Sequence, residues 1–587
     1  MNFKHFLPIL QWLPKYPKVW LKNDLAAGLT VGVMLVPQGM AYALLAGMPP
    51  IYGLYGGLIP LFLYALFGTS HQMSIGPVAV SALLVLAGIS QIAEPTTPEY
   101  IGYVILTGFL IGMAQVFSSF VRMGFLVNFL SHPVIAGFTS AAAIIIAVSQ
   151  LKYLMGIEIP RFAALTDTIS YAAQHIGDTH LPTFLLCIGG IVLILGLKKI
   201  SKTIPGALIA AVLGILIVKI LRLDEQGIDI VKSVPEGLPA FQLPDWSMEN
   251  IRLVFPTVLT VATIGIVESI GIAKVWEGKH KNYKIDANQE LLALGVSKIG
   301  GAFFQALPTS GSFTRSAVNS ESGAKTQLSS LITVALIGLT LVLLTPLFYY
   351  LPKAILAAIV LLSVKSLFDF QEALHLWKTH KGDFAMMVLT FLITLILGIE
   401  EGVLAGVVLS VLMVMYRNAQ PHIAVLGKLP NSSYYRNIDR FPDAVQVPNC
   451  AVIRFDSQLF FANSLYFKEF IENLVDTQEQ PLKGLILDAA SIHDIDSSGL
   501  QALEEVHKYL EDRQIKFYIA GIIGPVRDRL YRAGLMDKIG KKNQFMYIPD
   551  AVDCFLKGQA TAKGWVEKAT QTNHNIGSKR SKESSKN

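Results

Sequence analysis

The sequence predicts a polytopic α-helical membrane protein of fourteen spans, set in two groups of seven and followed by a soluble α/β domain. That expectation rests on composition, on block length and on a change of character near Tyr416. Of the 587 residues, 52% are hydrophobic and 15% charged, and the mean hydropathy is +0.50, too apolar for a soluble domain of ordinary composition. Apolar blocks, many close to the roughly 20 residues a spanning helix needs, follow one another as far as Tyr416. Beyond it, charges are spread evenly along the chain, as in a soluble domain.

The elements follow in order. Residues 1–24 carry Lys4, Lys15, Lys18 and Lys22 among Trp, Pro and Tyr. They lack the apolar core and small-residue cleavage site of a signal peptide, so a retained cytosolic segment is expected. The membrane domain, 25–418, has a first group of spans at 25–46, 51–67, 75–92, 101–121, 133–151, 182–197 and 205–221. The second group lies at 252–274, 286–303, 312–322, 327–350, 354–365, 383–397 and 402–416. Residues 419–445 read as a linker, 446–560 as the soluble domain and 561–587 as a disordered basic tail.

Loop charges orient this count. Cytoplasmic loops are enriched in Lys and Arg. Lys198, Lys199 and Lys202 fall between spans six and seven, and Lys274, Lys279, Lys281 and Lys284 between eight and nine. Both loops lie inside if the N-terminus does. Loops of the opposite side lean acidic, with Glu94 and Glu99 after span three and Asp224, Glu225, Asp229, Glu236, Asp245 and Glu249 between seven and eight. An even number of spans returns the chain to the cytoplasm, so both termini are expected there, in the inner (plasma) membrane. The net charge of +6 is largely topological and does not indicate nucleic acid. Cys187, Cys450 and Cys554 have neither disulfide nor metal spacing.

Two segments are unlike the rest. "GTSHQMSIGPVAVSALL" (68–84) and "ALPTSGSFTRSAVNSESGAKT" (306–326) occupy the third position of each group. Each has a short polar, extended stretch, Gly or Pro punctuation, and then a helix-forming run starting near Pro77 or Ser312. Interrupted segments at matching places in two halves are the sequence mark of a substrate site between inverted repeats. A helix that starts inside the membrane aims free N–H groups and a partial positive charge inward, and two facing starts make an anion site. Arg315 adds a permanent charge. The hydroxyls around it also satisfy backbone groups freed by the helix break.

"VPQGMAYALLAGMPPIYGLYGGLIP" (36–60), "GTSHQMSIGPVAVS", "IDANQELLALG", "SGSFTRSAVN" and "LPKAILAAIV" resemble, in order and over nearly the whole chain, the SulP family of inorganic anion transporters. The resemblance implies a seven-plus-seven inverted repeat with two half-helices at the substrate site, a core that moves against a gate, a C-terminal cytosolic STAS domain and a homodimer. Carried over by motif, the substrate-binding residues are Gln38, Tyr42, Gly76, Val78, Ser312, Thr314 and Arg315. His71 departs from the pattern, since many relatives have arginine there; interfacial hydrogen bonding is its expected role.

Glu268 stands inside the otherwise apolar span eight. A carboxylate there costs about 2.5 to 3.5 kcal/mol on insertion scales, so it must face a cavity or a partner. The choice is between proton coupling and a structural ion pair with Arg315. Proton-coupled SulP members resemble this chain in carrying a glutamate in that span. Moving one charge against 100 mV costs about 2.3 kcal/mol, and a divalent anion entering a negative cell faces roughly twice that. Glu290, Glu400 and Glu401 read as charges solvated at the membrane interfaces.

In the soluble part, "CAVIRFDSQLFFAN", "GLILDAA" and "IKFYIAGI" read as strands separated by helices at 464–477 and 497–513. "DIDSSGLQALEEV" resembles the STAS signature, whose second serine, here Ser498, is phosphorylated in stand-alone relatives; it is a possible regulatory phosphosite. Capping of a helix by Asp496 and the serines explains the motif without regulation.

The predicted function is secondary active uptake of an inorganic anion, with sulfate preferred and driven by the proton gradient. The alternatives are bicarbonate or C4-dicarboxylate transport, sodium-coupled or by exchange, and an anion-sensing transceptor signalling through STAS to a cytosolic partner. No metal cluster, nucleophile triad or nucleotide loop is present in the sequence, and "ESGAKT" lacks the spacing of a phosphate loop, so neither an enzyme nor a bound cofactor is expected.

Overall fold

Apolar runs become helices here because only a helix satisfies its own backbone inside hydrocarbon, and Pro and Gly decide where each begins and stops. A computed structural model describes residues 6–122, 131–160, 165–200, 205–232, 235–281, 283–478 and 480–557. The basic tail at 561–587, Lys4, Lys202 and the side chain of Glu400 lie outside the described residues. Two units are resolved, Met1–Ser410 and Val411–Asn587.

The first half of the membrane unit contains α1 (Leu21–Leu45), α2 (Pro50–Gly56), α3 (Ile59–Phe67), β1 (Ile75–Gly76), α4 (Ala79–Ile89), α5 (Pro98–Phe120), α6 (His132–Ser149), α7 (Leu181–Ile200) and α8 (Gly206–Leu221). The predicted span at 51–67 is two helices. Pro60, in the first turn of α3, has no N–H to continue the helix before it, so the chain restarts there. A further amphipathic helix at Leu165–Gln174, not anticipated from the sequence, lies between α6 and α7.

The second half repeats the order with α9 (Met248–His280), α10 (Ala287–Phe303), β2 (Ser310–Gly311), α11 (Phe313–Glu321), α12 (Leu328–Leu339), α13 (Lys353–Val364), α14 (Lys381–Leu397) and α15 (Ile399–Ala419). Helix α9 has 33 residues, starts at a Ser247 cap and absorbs Lys274 and Lys279, which the sequence placed in a loop. After α12 the chain widens into a π turn, Thr340–Leu344, and then tightens into a 3-10 turn, Thr345–Phe348, with Pro346 in the latter. Seven helical stretches among the described residues are long and apolar enough to cross a membrane, and α4, α8 and α13 are shorter apolar helices.

Glycines set how closely the helices approach. A Cβ on Gly53 would sit 1.9 Å from the Gly39 carbonyl oxygen, so α1 and α2 touch backbone to backbone. A Cβ on Gly295 would lie 2.7 Å from the Gly112 carbonyl oxygen, which brings α5 and α10 equally close.

The second unit is an α/β sandwich. Its sheet holds β3 (Ile423–Lys428), β4 (Tyr435–Asn437), β5 (Cys450–Phe455), β6 (Gly484–Asp488), β7 (Lys516–Ala520) and β8 (Gln544–Phe545) in the order β4-β3-β5-β6-β7-β8. Strands β5 to β8 are parallel, while β3 pairs antiparallel with both neighbours. Helices α16 (Ser464–Asp476) and α17 (Ser497–Asp512) connect the parallel strands. One core layer gathers Phe455, Phe467, Leu485, Leu487 and Val506. Residues 419–445 are therefore not a linker. Their short run "IAVLGK" buries Ala424 and Leu426 against the second core layer. Proline and asparagine on either side had hidden a six-residue strand, and β3 pairs with β5 through Ile423↔Phe455.

Candidate functional site

The two interrupted segments meet. Strand β1 pairs antiparallel with β2, Ile75 opposite Gly311 and Gly76 opposite Ser310. Because the pairing is antiparallel, α4 and α11 leave this two-residue ribbon in opposite directions, with their N-termini beside it. Val78 is the N-cap of α4 in an extended conformation. Pro77, expected in the first turn, lies one residue ahead of that cap and supplies a carbonyl instead. Ser312 caps α11, its Oγ accepting from Arg315 N at 3.3 Å and lying 3.2 Å from Thr314 Oγ1. Ser312 N donates to Ser74 O at 3.0 Å, and Ser74 N to Ser316 Oγ at 3.0 Å, so the two segments are cross-linked beyond the ribbon.

Arg315 is fully buried. Its Nη1 donates to Pro77 O at 2.9 Å, while Nε and Nη2 are buried without a hydrogen-bond partner. Gly76 has φ +156°, and a Cβ there would come within 3.1 Å of Arg315 Nη2 and 3.4 Å of Leu35 Cδ1. Gln38 and Tyr42 follow Leu35 on α1 at three and seven residues, the spacing of one helix face. Both are buried, and Gln38 Oε1 has no hydrogen-bond partner. The Tyr42 side chain is hydrogen-bonded with Ser363 of α13 and interacts electrostatically with Arg315 and Glu268. The carried-over residues thus converge on one region formed by α1, β1, β2 and the starts of α4 and α11.

Glu268 belongs to the same region. The next residue, Ser269, accepts from Gly311 N at 2.9 Å through its Oγ, which fixes α9 against β2. Glu268 Oε2 is buried without a hydrogen-bond partner. No ion pair with Arg315 is found among the described residues, so the structural-pair alternative lacks its contact.

Three buried charges were missed or misjudged. Lys298 of α10 is buried and donates to Gln115 Oε1 of α5 at 2.9 Å. A lone lysine inside "LALGVSKIGGAF" was the available signal. Glu290, read as solvated at an interface, is fully buried. Its oxygens accept from Tyr64 OH at 2.8 Å, Thr69 N and Oγ1 at 2.6 Å each, and Ser70 N at 3.1 Å. Asp24, also fully buried, accepts from Lys325 N, Thr326 N and Oγ1, and Tyr16 OH. Glu290 thereby holds the chain leading into β1, and Asp24 the chain leaving α11. Glu401 is exposed. His71 stacks on Tyr283 with ring centroids 4.5 Å apart rather than lining the ribbon.

In the second unit Asp496 alone caps α17, accepting from Gly499 N at 2.8 Å and from Phe461 N at 2.9 Å. Ser498 is half-buried in the first helical turn.

Two half-helices whose N-termini meet a buried, incompletely bonded guanidinium, within a multi-pass helical unit, define a membrane transporter of anions. The chain belongs to the sulfate permease family: residues 21–390 match that family and residues 441–551 match the STAS domain. Sulfate transporter 4.1, chloroplastic, of Arabidopsis thaliana is 40% identical over 570 residues, covering 94% of this chain and 82% of its own. Sulfate transporter 1.1 of the same plant is 35% identical over 582 residues, covering 94% and 88%. Among solved structures, the murine Solute Carrier 26 family member A9 anion transporter, in the inward-facing state, superposes with a TM-score of 0.86 at 26% identity, covering 93% of each chain. The transmembrane domain of the cyanobacterial bicarbonate transporter BicA shares the fold with a TM-score of 0.58 at 22% identity, over 68% of this chain and 98% of that one.

Proposed function

We propose that this anion transporter imports sulfate together with protons, by alternating access, in the cell membrane with both termini cytoplasmic. One observation carries the reading: Glu268 lies beside the ribbon where α4 and α11 start, its Oε2 buried without a hydrogen-bond partner, in the electrostatic field of Arg315. The names of the relatives support sulfate as the anion.

Free N–H groups at the two helix starts, the Ser312 and Thr314 hydroxyls, and the unpartnered Nε and Nη2 of Arg315 form a donor set for a tetrahedral oxyanion. When ionised, Glu268 repels the anion and competes for Arg315. When protonated, it leaves the guanidinium to the substrate. Anion and proton then enter together, and the proton offsets part of the roughly 4.6 kcal/mol that a divalent anion faces at 100 mV. The core carrying the ribbon moves against the remaining helices to expose the site to either side. Homodimer assembly and regulation through the STAS unit belong to the same reading.

The test is sulfate accumulation in proteoliposomes under an imposed inward proton gradient, with Glu268→Gln alongside and bicarbonate and succinate as competitors. Gradient-driven accumulation that the variant loses supports the reading. Full accumulation by Glu268→Gln removes the carboxylate from coupling, and movement of a competitor in place of sulfate overturns the substrate.

A further inference from the structure

Helices α5 and α10 touch at Gly112 and Gly295, and Gln115 and Lys298, each three residues on, meet across that contact at 2.9 Å. The Gln115 side chain also approaches α9: a Cβ on Gly265 would lie 3.9 Å from Gln115 Nε2 and 3.0 Å from Ser310 Oγ of β2. Ser310 Oγ in turn accepts from Ser81 Oγ of α4 at 3.3 Å. Gln115, and with it the Lys298 ammonium, therefore lies beside Gly265, which packs on Ser310 of the ribbon one helical turn along α9 from Glu268. Lys298 interacts electrostatically with Glu268, as Arg315 and Tyr42 do from α11 and α1. Among the described residues, Gln115 is the hydrogen-bond partner of the ammonium, and no carboxylate lies within ion-pair distance of it.

Among the described residues of this unit, Asp24 and Glu290 are the fully buried carboxylates. Both are engaged by the chain segments they clamp, which leaves Arg315, Lys298 and Glu268, among the described residues, as the charges that interact with one another around the ribbon. We propose that Lys298 sets the valence of the anion that the site accepts. Net charge buried without compensation is costly, so the occupied site is most stable near neutrality. With Glu268 protonated, the guanidinium and the ammonium together balance a divalent anion. Without Lys298, the guanidinium alone balances a monovalent one. Gln115 supplies a neutral acceptor that holds the ammonium in place without cancelling its charge. This inference rests on the proton-coupled sulfate reading above and adds the residue that makes the site divalent.

The experiment is calorimetric binding of sulfate and of nitrate to the purified full-length chain at pH 6, for wild type, Lys298→Gln and Lys298→Arg. Wild type is expected to prefer sulfate. Lys298→Gln is expected to shift the sulfate-to-nitrate preference toward nitrate by about tenfold or more, and Lys298→Arg to keep the wild-type preference. Should Lys298→Gln fail to fold, Lys298→Gln combined with Glu268→Gln removes the remaining carboxylate and gives the same readout. An unchanged preference in the Gln variants, with wild type selective for sulfate, overturns the assignment to Lys298 alone. A wild type that does not prefer sulfate overturns the sulfate reading and this inference with it.

Discussion

Arg315 Nη1 donates a 2.9 Å hydrogen bond to the carbonyl oxygen of Pro77, so the one arginine of α11 is fastened to the chain just ahead of α4. This bond joins the two helix starts and leaves Nε and Nη2 free of partners, with Nη2 beside Gly76 of β1. Arg315→Gln removes the charge and weakens the tie together. Sulfate affinity is expected to fall about 100-fold, about 2.7 kcal/mol. Arg315→Lys keeps a point charge but cannot hold Pro77 and present a planar pair of donors at once, so a loss of about tenfold is expected. Equilibrium sulfate binding measures both, and wild-type affinity in Arg315→Gln removes the guanidinium from the site.

Gly76 tests position without touching charge. A Cβ added there meets Arg315 Nη2 at 3.1 Å, closer than such contacts comfortably lie, and the guanidinium is the part that must move. Gly76→Ala is expected to raise the KM for sulfate about tenfold and, since φ +156° is strained for an L residue, to cost about 1 to 3 kcal/mol of stability without unfolding the chain. Uptake kinetics together with thermal unfolding distinguish this outcome from general disruption, in which stability and KM would fail together.

Glu290 makes a different prediction. Its two oxygens accept four hydrogen bonds from Tyr64, Thr69 and Ser70, so every nearby group is a donor. Glu290→Gln turns one acceptor into an amide that faces those donors, and a loss of about 1 to 3 kcal/mol of stability is expected. Because the clamp holds the chain leading into β1, the same variant should weaken sulfate binding although Glu290 makes no contact at the ribbon. A variant as stable as wild type would show that the clamp does not hold that chain.

The broken segments were legible because Pro77, the glycines and Ser312 punctuate apolar sequence in two matching places, and local chemistry alone fixes where a helix starts. The resemblance then supplied Gln38 and Tyr42, which lie far away in sequence and reach the ribbon only through the packing of α1. Lys298, Asp24 and Glu290 could not be placed this way. A charge near the end of a predicted span looks the same whether it is solvated or clamped, and the partners of Glu290 lie more than 200 residues away. Strand β3 was hidden for a related reason. Pro421 ahead of it and Pro430 and Asn431 behind it make the stretch look like a connecting loop, and its pairing with β5 is a tertiary fact.

In the second unit, Arg454 donates to Asp456 through Nε at 2.5 Å and Nη2 at 2.9 Å, and His422 Nδ1 lies 2.9 Å from the same carboxylate. The contact joins the residue before β3 to the end of β5, and so staples the strand that the sequence had concealed. Burial alone would raise the Asp456 carboxyl, but the hydrogen bonds from Arg454 and His422 outweigh it and hold the group below its ordinary value of 3.8. A carboxyl depressed on folding contributes stability that is fully present above its unfolded pKa, and that stability is lost as pH falls through the folded value. Asp456→Asn is therefore expected to cost about 1 kcal/mol at pH 7, read as roughly fivefold faster amide exchange in β3 and β5 of the full-length chain. The difference from wild type should persist down to about pH 4 and shrink below it as the wild-type carboxyl takes up its proton. A difference that stays constant from pH 7 to pH 3 would show that the pair contributes by shape alone.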